Sequence, residues 1–379
     1  MKVKAKLVLL LLLSPGLCDA AIQRVPALAA SSFSAAPVFL APTLAGAAVM
    51  TTGMPTPHLA PTSPAQTPAA PVAIVPTQAL PPATDLAARL ESRFAHLDEE
   101  FPLPAKSRAA AVRFRIRNEL LSTARAMLQT DGSLLETVAT ESDRTLSVIE
   151  RRLQDKEIDP RLKLRMAKKA KSVAPNSRPI KVGVYPVAGD PLHWGHLIVA
   201  LRAIGDLSLD KVVFVLAGDD PRKPTMTPVV DRHPMGRKVL SLFAPFFAYS
   251  PIAIGTQYDG ETNIFRLLAL NRRTPVEAWY MVGDDHYRQT DKKGNPDTLP
   301  KLEANQNKFP GGTPLHKIKV AFIERERPTE FVATKLDVKF VQHAGFEASS
   351  SEVRAGNFAL VPDTVRRYAL DKGLYGLGK

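Results

Sequence analysis

Short apolar runs alternate with amphipathic stretches along the second half of the chain, a pattern typical of strands followed by helices. Residues 180–187 and 211–217 are continuous apolar runs rich in β-branched residues, which predicts buried strands. Further extended segments are predicted at 247–254, 276–282 and 318–323, and helices at 197–204, 235–243 and 263–270. The alternation predicts a doubly wound, Rossmann-like α/β domain with a parallel sheet over residues 179–379. Such sheets bind ligands at the carboxyl ends of their strands, where the strand order reverses.

The preceding stretch, residues 84–178, has the periodicity of helices. Its first apolar positions, which recur every three or four residues behind a possible cap at Thr84, are Leu86, Leu90, Phe94 and Leu97. Two further helices are predicted at about 106–128 and 133–153. A basic segment at 160–172 is interpreted as a solvated helix face, with an anion or RNA contact as the alternative. No catalytic arrangement stands out here, so we expect a small helical region that packs on the next domain.

The N-terminus differs in composition from both regions. Three lysines precede a run of seven apolar residues and a stretch of small residues, which predicts a secretory signal peptide over residues 1–20. A start codon assigned too early is the alternative. Residues 21–83 contain 12 Pro, 17 Ala and a single charged residue, Arg24. This composition predicts a disordered tether, because it offers too little apolar surface to offset the entropy of ordering.

Charge and cysteine content exclude several classes of protein. The net charge of +13 is spread along the chain without a dense basic stripe, so a nucleic-acid polymer is not an expected partner, whereas a small polyanion such as a nucleotide is. A single Cys excludes a disulfide scaffold and a Cys-based zinc site. Because no apolar run reaches 18 residues, no transmembrane span is expected. The sequence does not specify an oligomeric state.

The candidate chemistry lies directly after the first predicted strand. Asp190-Pro-Leu-His193-Trp-Gly195-His196 leads into an apolar helix, so two histidines open that helix around a glycine. A helix N-terminus attracts phosphate through its free N–H groups and positive end, and imidazoles there can donate to phosphate oxygens. A metal site at His193 and His196 is the competing interpretation, but no third ligand stands at short spacing. The pattern therefore favours a phosphate site.

This motif resembles the signature of the HxGH nucleotidyltransferase superfamily, and four further segments narrow the resemblance to the nicotinate-nucleotide adenylyltransferase family. They follow in the family's order and are Pro221-Arg-Lys223, Arg232-His-Pro-Met235, Gly283-Asp-Asp285 and Ser349-Ser-Ser351-Glu-Val-Arg354. The tail from Leu360 to Tyr375 resembles the family's C-terminal helix. The resemblance covers about residues 180–377. One departure is Pro186-Val187, which stands where the family has a Gly-Gly pair.

The resemblance implies an adenylyl transfer from ATP to nicotinate mononucleotide, which yields nicotinate adenine dinucleotide and pyrophosphate in NAD biosynthesis. The catalytic residues it implies are His193, His196, Lys223 and Arg354, and the ATP- or substrate-binding residues are Asp190, Gly195, Thr262, Gly283, Asp285, Ser350 and Ser351. Mg²⁺ is implied as a cofactor held mainly by the ATP phosphates, without a protein ligand. Arg325 is a candidate cation for the nicotinate carboxylate, as is the basic insertion after Tyr287.

Two alternatives remain open from the sequence. One is another transferase of the superfamily, similar to pantetheine-phosphate adenylyltransferases or cytidylyltransferases. The other is an exported, non-catalytic binding protein on a decayed transferase fold, which the signal-like segment favours. Location is equally open, because the signal-like segment indicates export whereas ATP-dependent chemistry is typical of the cytoplasm.

Overall fold

The structure is a computed structural model. It describes residues 83–127, 132–162, 164, 178–221, 223–255, 260–270, 274–291, 293–306, 316–325 and 333–377. The predicted signal peptide, the predicted tether up to residue 82 and most of the basic segment at 160–172 lie outside the described residues.

Six parallel strands form one sheet in the order β3-β2-β1-β4-β5-β6. They are β1 (Ile180–Val187), β2 (Lys211–Leu216), β3 (Phe247–Ser250), β4 (Val276–Gly283), β5 (His316–Glu324) and β6 (Val338–Gln342). The strand order reverses between β1 and β4, which is the topology of a doubly wound Rossmann-like fold. The predicted fold class is confirmed.

The sheet opens at this reversal point. β1 pairs with β4 from Ile180 to Val184, yet it pairs with β2 as far as Val187. The last three residues of β1 therefore have no partner on the β4 side. Because both strands run in the same direction, their carboxyl ends diverge into a crevice between the loops that follow them.

Helices cover both faces of the sheet. They are α1 (Ala83–Glu100), α2 (Arg108–Ala126), α3 (Gly132–Gln154), α4 (Trp194–Leu207), α5 (Val229–Ser241), α6 (Gly260–Ala269), α7 (Asp285–Arg288), α8 (Thr298–Gln306), α9 (Ser350–Arg354) and α10 (Asp363–Asp371). The larger core contains side chains of α1 to α5, α9 and α10, and the core on the opposite face contains α6 and α8. Within the described residues, no helix is long and apolar enough to cross a membrane.

The first three helices share a core with the sheet-containing half of the chain. Gly205 of α4 lies so close to α3 that a Cβ there would be 3.0 Å from Val148. Arg115 of α2 donates to the carbonyl oxygens of Leu242 and Ala244 at 2.5 and 2.7 Å, just beyond the end of α5. These contacts pack α3 against α4 and tie α2 to the segment that follows α5.

Two elements of the sheet layer were not predicted. α8 carries few apolar residues, and β6 is a five-residue strand with the exposed Lys339 and Gln342 at the edge of the sheet. A short edge strand buries only part of its surface, so its hydrophobic signal is weak. Helix α5 begins at Val229, six residues before the predicted start, behind Pro228 as N-cap residue.

Candidate active site

A cavity of about 360 Å³ occupies the crevice between the carboxyl ends of β1 and β4. Its walls come from the end of β1, the start of α4, the segments after β4 and β5, and the segment after β6. Its polar lining residues are Tyr185, His193, His196, Asp285, His286, Arg325 and His343. The cavity therefore lies where the fold places ligands, and it contains the two histidines of the sequence motif.

His193 and His196 face each other at the start of α4. Their ring centroids lie 3.7 Å apart, and the planes are inclined by 33°. The backbone N–H of His193 points at Nδ1 of His196, at 3.4 Å. With Nδ1 as acceptor, the proton of a neutral His196 resides on Nε2, which is then a donor. Nδ1 of His193 is buried and has no hydrogen-bond partner in the structure.

Both imidazoles are held in the neutral form. Burial, and secondarily the positive charge of Arg325, lowers the pKa of His196 to about 4. Burial and the neighbouring His196 hold the pKa of His193 far below its usual range. Two stacked imidazoles in a desolvated site oppose each other's protonation. At neutral pH the pair offers neutral hydrogen-bonding groups rather than a pair of cations.

Gly195 is required by the closeness of these rings. A Cβ at this position would lie 3.0 Å from Nδ1 of His193 and 3.5 Å from the Cβ of Ala348. Any side chain would therefore push against the His193 ring or the wall behind it. The glycine of the motif keeps the first turn of α4 accessible to a ligand in the cavity.

Asp190 lies outside the cavity and is 2% exposed. Its carboxylate accepts from the backbone N–H of Thr227 at 3.1 Å and from the hydroxyl of Tyr375 at 3.0 Å. Its carbonyl oxygen accepts from Arg354 at 2.6 Å. The substrate contact implied for Asp190 stays a prediction, whereas in the structure the residue joins the β1–α4 loop to three other segments.

The Ser-rich segment meets the same loop from the other side. Ser350 donates through its hydroxyl to the carbonyl oxygen of Pro191 at 3.0 Å, and Arg354 donates to Oγ of Ser351 at 3.1 Å. Ser349 caps α9 by accepting from the N–H of Glu352. These contacts place Ser350, Ser351 and Arg354 next to the Asp190–Pro191 peptide, beside the cavity rather than among its lining residues.

Arg232 supports the loops beneath the histidines. Its side chain is fully buried and donates to four backbone carbonyl oxygens, those of Thr227, Ala188, Ala217 and Gly218, at 2.6–3.1 Å. Ala188 follows β1 and Ala217 follows β2. One guanidinium thus holds together the loops that leave two neighbouring strands, a contact that five fixed donors make possible.

The opposite wall carries charge. Asp285 and Arg325 are exposed and line the cavity at the ends of β4 and β5. The buried Asp284 accepts from the backbone N–H of Arg325 at 3.0 Å, which joins the two segments. A Cβ at Gly283 would lie 2.2 Å from Oδ1 of Asp285, so a side chain there would displace that carboxylate.

Three residues singled out in the sequence lie elsewhere. Lys223 stands in an exposed turn between β2 and α5 and does not line the cavity. Thr262 belongs to the first turn of α6 and is likewise absent from the lining. Tyr287 is 6% exposed and packs edge-on against Phe322 in the core, so it is part of the protein interior. The implied roles of Lys223 and Thr262 stay predictions.

Sequence reasoning missed His286 and His343, both of which line the cavity. His343 directly follows β6, and burial lowers its pKa. Had β6 been predicted, a histidine at the carboxyl end of a parallel strand would have been a candidate. Among the described residues, no group of three or more His, Cys, Asp or Glu could hold a metal ion.

The fold and the paired histidines at the start of α4 can be compared with known proteins. A family model described as Cytidylyltransferase-like matches residues 189–356. A probable nicotinate-nucleotide adenylyltransferase of Rubrobacter xylanophilus is 27% identical over 52% of this chain and 92% of its own length. A relative of the same name from Desulfitobacterium hafniense is 31% identical over 30% of this chain and 56% of its own length.

Among solved structures, the nicotinic acid mononucleotide adenylyltransferase of Plasmodium falciparum complexed with APC is 13% identical, with a TM-score of 0.35, over 52% of this chain and 98% of its own. The sequence relatives and the family model agree with the motifs described above. The C-terminal half of this chain is thus a nucleotidyltransferase enzyme domain similar to nicotinate-nucleotide adenylyltransferases.

Proposed function

We propose that the domain transfers the adenylyl group of ATP to nicotinate mononucleotide, which yields nicotinate adenine dinucleotide and pyrophosphate. The observation that carries this proposal is the neutral pair His193 and His196 at the start of α4 in the crevice between β1 and β4. The names of the sequence relatives support the choice of substrates.

The reaction requires little covalent chemistry from the protein. A phosphate oxygen of the acceptor attacks the α-phosphorus of ATP, a new P–O bond forms, and the bond to the bridging oxygen of the β-phosphate breaks. The acceptor phosphate is already an anion, so no strong general base is required. Catalysis then consists of positioning and of stabilising charge on the phosphoryl oxygens.

The donors at the start of α4 fit this task. Nε2 of His196 and the first N–H groups of the helix would donate to the oxygens of the α-phosphate. Because both rings are neutral and already fixed, they require no rearrangement as charge develops in the transition state. Arg354, Ser350 and Ser351 lie beside the same loop and would hold the β- and γ-phosphates, while Lys223 would reach them from its exposed turn.

Mg²⁺ would enter with ATP as part of the substrate. The site fits that arrangement, since the one acidic side chain that lines the cavity among the described residues is Asp285. A cavity with so few carboxylates suits a metal ion that is held by water and by the phosphate oxygens of the nucleotide. The ion would neutralise phosphate charge, and Asp285 would instead hydrogen-bond the nucleotide or its ribose.

The charged wall favours an acidic acceptor. Nicotinate mononucleotide carries a carboxylate that the amide form lacks, and Arg325 is a cavity-lining cation that could meet it. The test is kcat/KM for the two mononucleotides measured side by side with MgATP. We expect the nicotinate form to be preferred, and Arg325→Gln to reduce that preference while the exposed Arg125→Gln leaves it unchanged. A preference for the amide form would reject the acceptor but not adenylyl transfer.

A second candidate is a cytidylyltransferase, which the description of the matching family model favours. A panel of CTP and ATP against mononucleotide, phosphopantetheine and small phosphorylated alcohols, read out as pyrophosphate release, separates the two. Turnover with CTP alone would replace the proposal. Absence of pyrophosphate release with every pair would favour a non-catalytic binding protein.

A further inference from the structure

A carboxylate on α3 reaches the cavity through a single arginine of α4. Glu141 accepts a charge-assisted hydrogen bond from Nη2 of Arg202, and Nη1 of the same guanidinium donates to the carbonyl oxygen of His343. The side chains of Glu141 and Arg202 are only 12% and 14% exposed. His343 lines the cavity together with His193 and His196.

The shape of the guanidinium makes this contact directional. Its donors lie in a rigid plane, so an ionic bond at one nitrogen fixes where the other nitrogen points. Arg202 belongs to α4, the helix whose first turn carries His196. The same side chain thus sets the position of the segment after β6 relative to that helix.

We propose that Glu141 is a positioning residue of the active site, which acts through Arg202 to hold His343 against the histidine pair. Its kinetic test rests on the adenylyl transfer proposed above. The inference makes the N-terminal helices part of the catalytic unit, although none of their residues lines the cavity within the described part of the chain.

A carboxylate of α2 likewise accepts hydrogen bonds from a distant segment of the chain. Glu119 of α2 accepts from the N–H and the hydroxyl of Thr364 at 2.7 and 2.8 Å, in the first turn of α10. The N-cap residue of α10 is Pro362, which has no side-chain acceptor, so Glu119 supplies the missing cap from another helix. The chain beyond α10 then brings Tyr375 to Asp190. Carboxylates of α2 and α3 therefore hold segments that reach Asp190 in the β1–α4 loop and His343 in the cavity wall.

The kinetic experiment compares Glu141→Ala with Glu136→Ala in the full chain. Glu136 lies on the same helix and pairs with Arg89 of α1 at 2.7 Å, away from the cavity. We expect Glu141→Ala to lower kcat roughly 10- to 100-fold, the range expected when reacting groups are misplaced by about 1 Å. KM for ATP should change less than about threefold, since the lost interaction acts in the transition state. Glu141→Gln, which keeps an acceptor, should recover part of the loss.

A spectroscopic measurement tests, without turnover, the relay of contacts that runs from Glu141 through Arg202 to His343. The imidazole signals of ¹³C,¹⁵N-histidine-labelled protein are recorded at one pH without substrate, and His343 is assigned with His343→Gln. Glu141→Ala should shift the His343 signals, whereas Glu136→Ala should not. If the wild type adenylylates no acceptor, the proposed function fails and the NMR comparison still decides the relay.

The relay is overturned if Glu141→Ala and Glu136→Ala give the same kcat and the same His343 signals. If Glu141→Ala does not fold, Arg202→Lys replaces it in both measurements, because an ammonium group keeps the charge but lacks the planar fork. Unchanged His343 signals in Arg202→Lys would likewise reject the proposal, and shifted signals would support it.

Discussion

The two walls of the cavity differ in burial and charge. The wall built by β1 and α4 is apolar or neutral, with Trp194 fully buried and His193 6% exposed. The wall built by β4 and β5 presents the exposed Asp285 and Arg325. The first wall is fixed before a ligand arrives, whereas the second keeps its charges hydrated until a ligand replaces the water. Preorganised donors and adaptable charges thus occupy opposite sides of one site.

Hydrogen bonds below the cavity hold the first wall, built by β1 and α4, in place. Arg232 satisfies carbonyl oxygens in the loops after β1 and β2, and Asp190 joins the β1–α4 loop to Thr227 and Tyr375. In the second wall, Asp284 accepts from the N–H of Arg325 and donates through its own N–H to the carbonyl oxygen of Ile323, whereas the side chains of Asp285 and Arg325 stay exposed. Substitutions in the first wall should therefore affect turnover and stability, and those in the second should affect substrate affinity.

The largest expected effect is that of His196→Ala on turnover. Loss of a preorganised transition-state donor should lower kcat roughly 10²- to 10⁴-fold. ATP binding, measured by calorimetry, should weaken much less. His96→Ala, which removes an exposed histidine of α1, is the matched control and should retain full activity. Wild-type turnover of His196→Ala would contradict a phosphate contact by this residue.

Arg232→Met should have the largest effect on stability. The substitution removes the donors of four buried backbone carbonyl oxygens, and we expect the free energy of unfolding to fall by about 3 kcal/mol or more. Urea unfolding measures the change, with the exposed Arg237→Met of the same helix as control. Equal stability of the two variants would show that the loops after β1 and β2 hold without this guanidinium.

A smaller effect on the kinetic constants is expected from a substitution in the wall built by β4 and β5. Asp285→Asn should raise KM for one substrate about tenfold, the value of one lost polar contact, and leave kcat within about threefold. The melting temperature should not change, because the carboxylate is exposed. Asp155→Asn, in the turn after α3, serves as the control. A large fall in kcat at unchanged KM would place Asp285 with the transition-state groups instead.

The first wall should also make stability depend on pH. The folded pKa of His196 is about 4, below the ordinary value of 6.5. The unfolded chain therefore binds the proton first as the pH falls. Stability is complete above pH 6.5 and is lost between pH 6.5 and about 4, with a slope of at most about 1.4 kcal/mol per pH unit for this group. His196→Gln should flatten the plot of the free energy of unfolding against pH in that window. An equal slope of this plot in the wild type and the variant would contradict the low pKa of His196.

Much of the fold and part of the site could be predicted from the sequence. β1 was predicted with the bounds that the structure has, and β2 and β4 within one residue. Their apolar runs are long and buried on both faces, so tertiary context does not alter the signal. His193, Gly195, His196, Gly283, Asp285 and Arg325 line the cavity, and the roles implied for them stay predictions. Their positions follow from the rule that the carboxyl ends of parallel strands meet at one edge.

Only the tertiary structure decided which of the other residues act together. Asp190 and Tyr375 are 185 positions apart, and Arg202 and His343 are 141 apart. A helix start or a buried strand is recorded in a few neighbouring residues, since its signal has a period of two to four positions. A hydrogen bond between distant segments depends instead on how α3, α4 and α10 pack, and no local pattern carries that information. The sequence thus determined five of the six strands and the turn that carries the paired histidines, while packing decided that Asp190 is a buried junction and that Arg202 links Glu141 to His343.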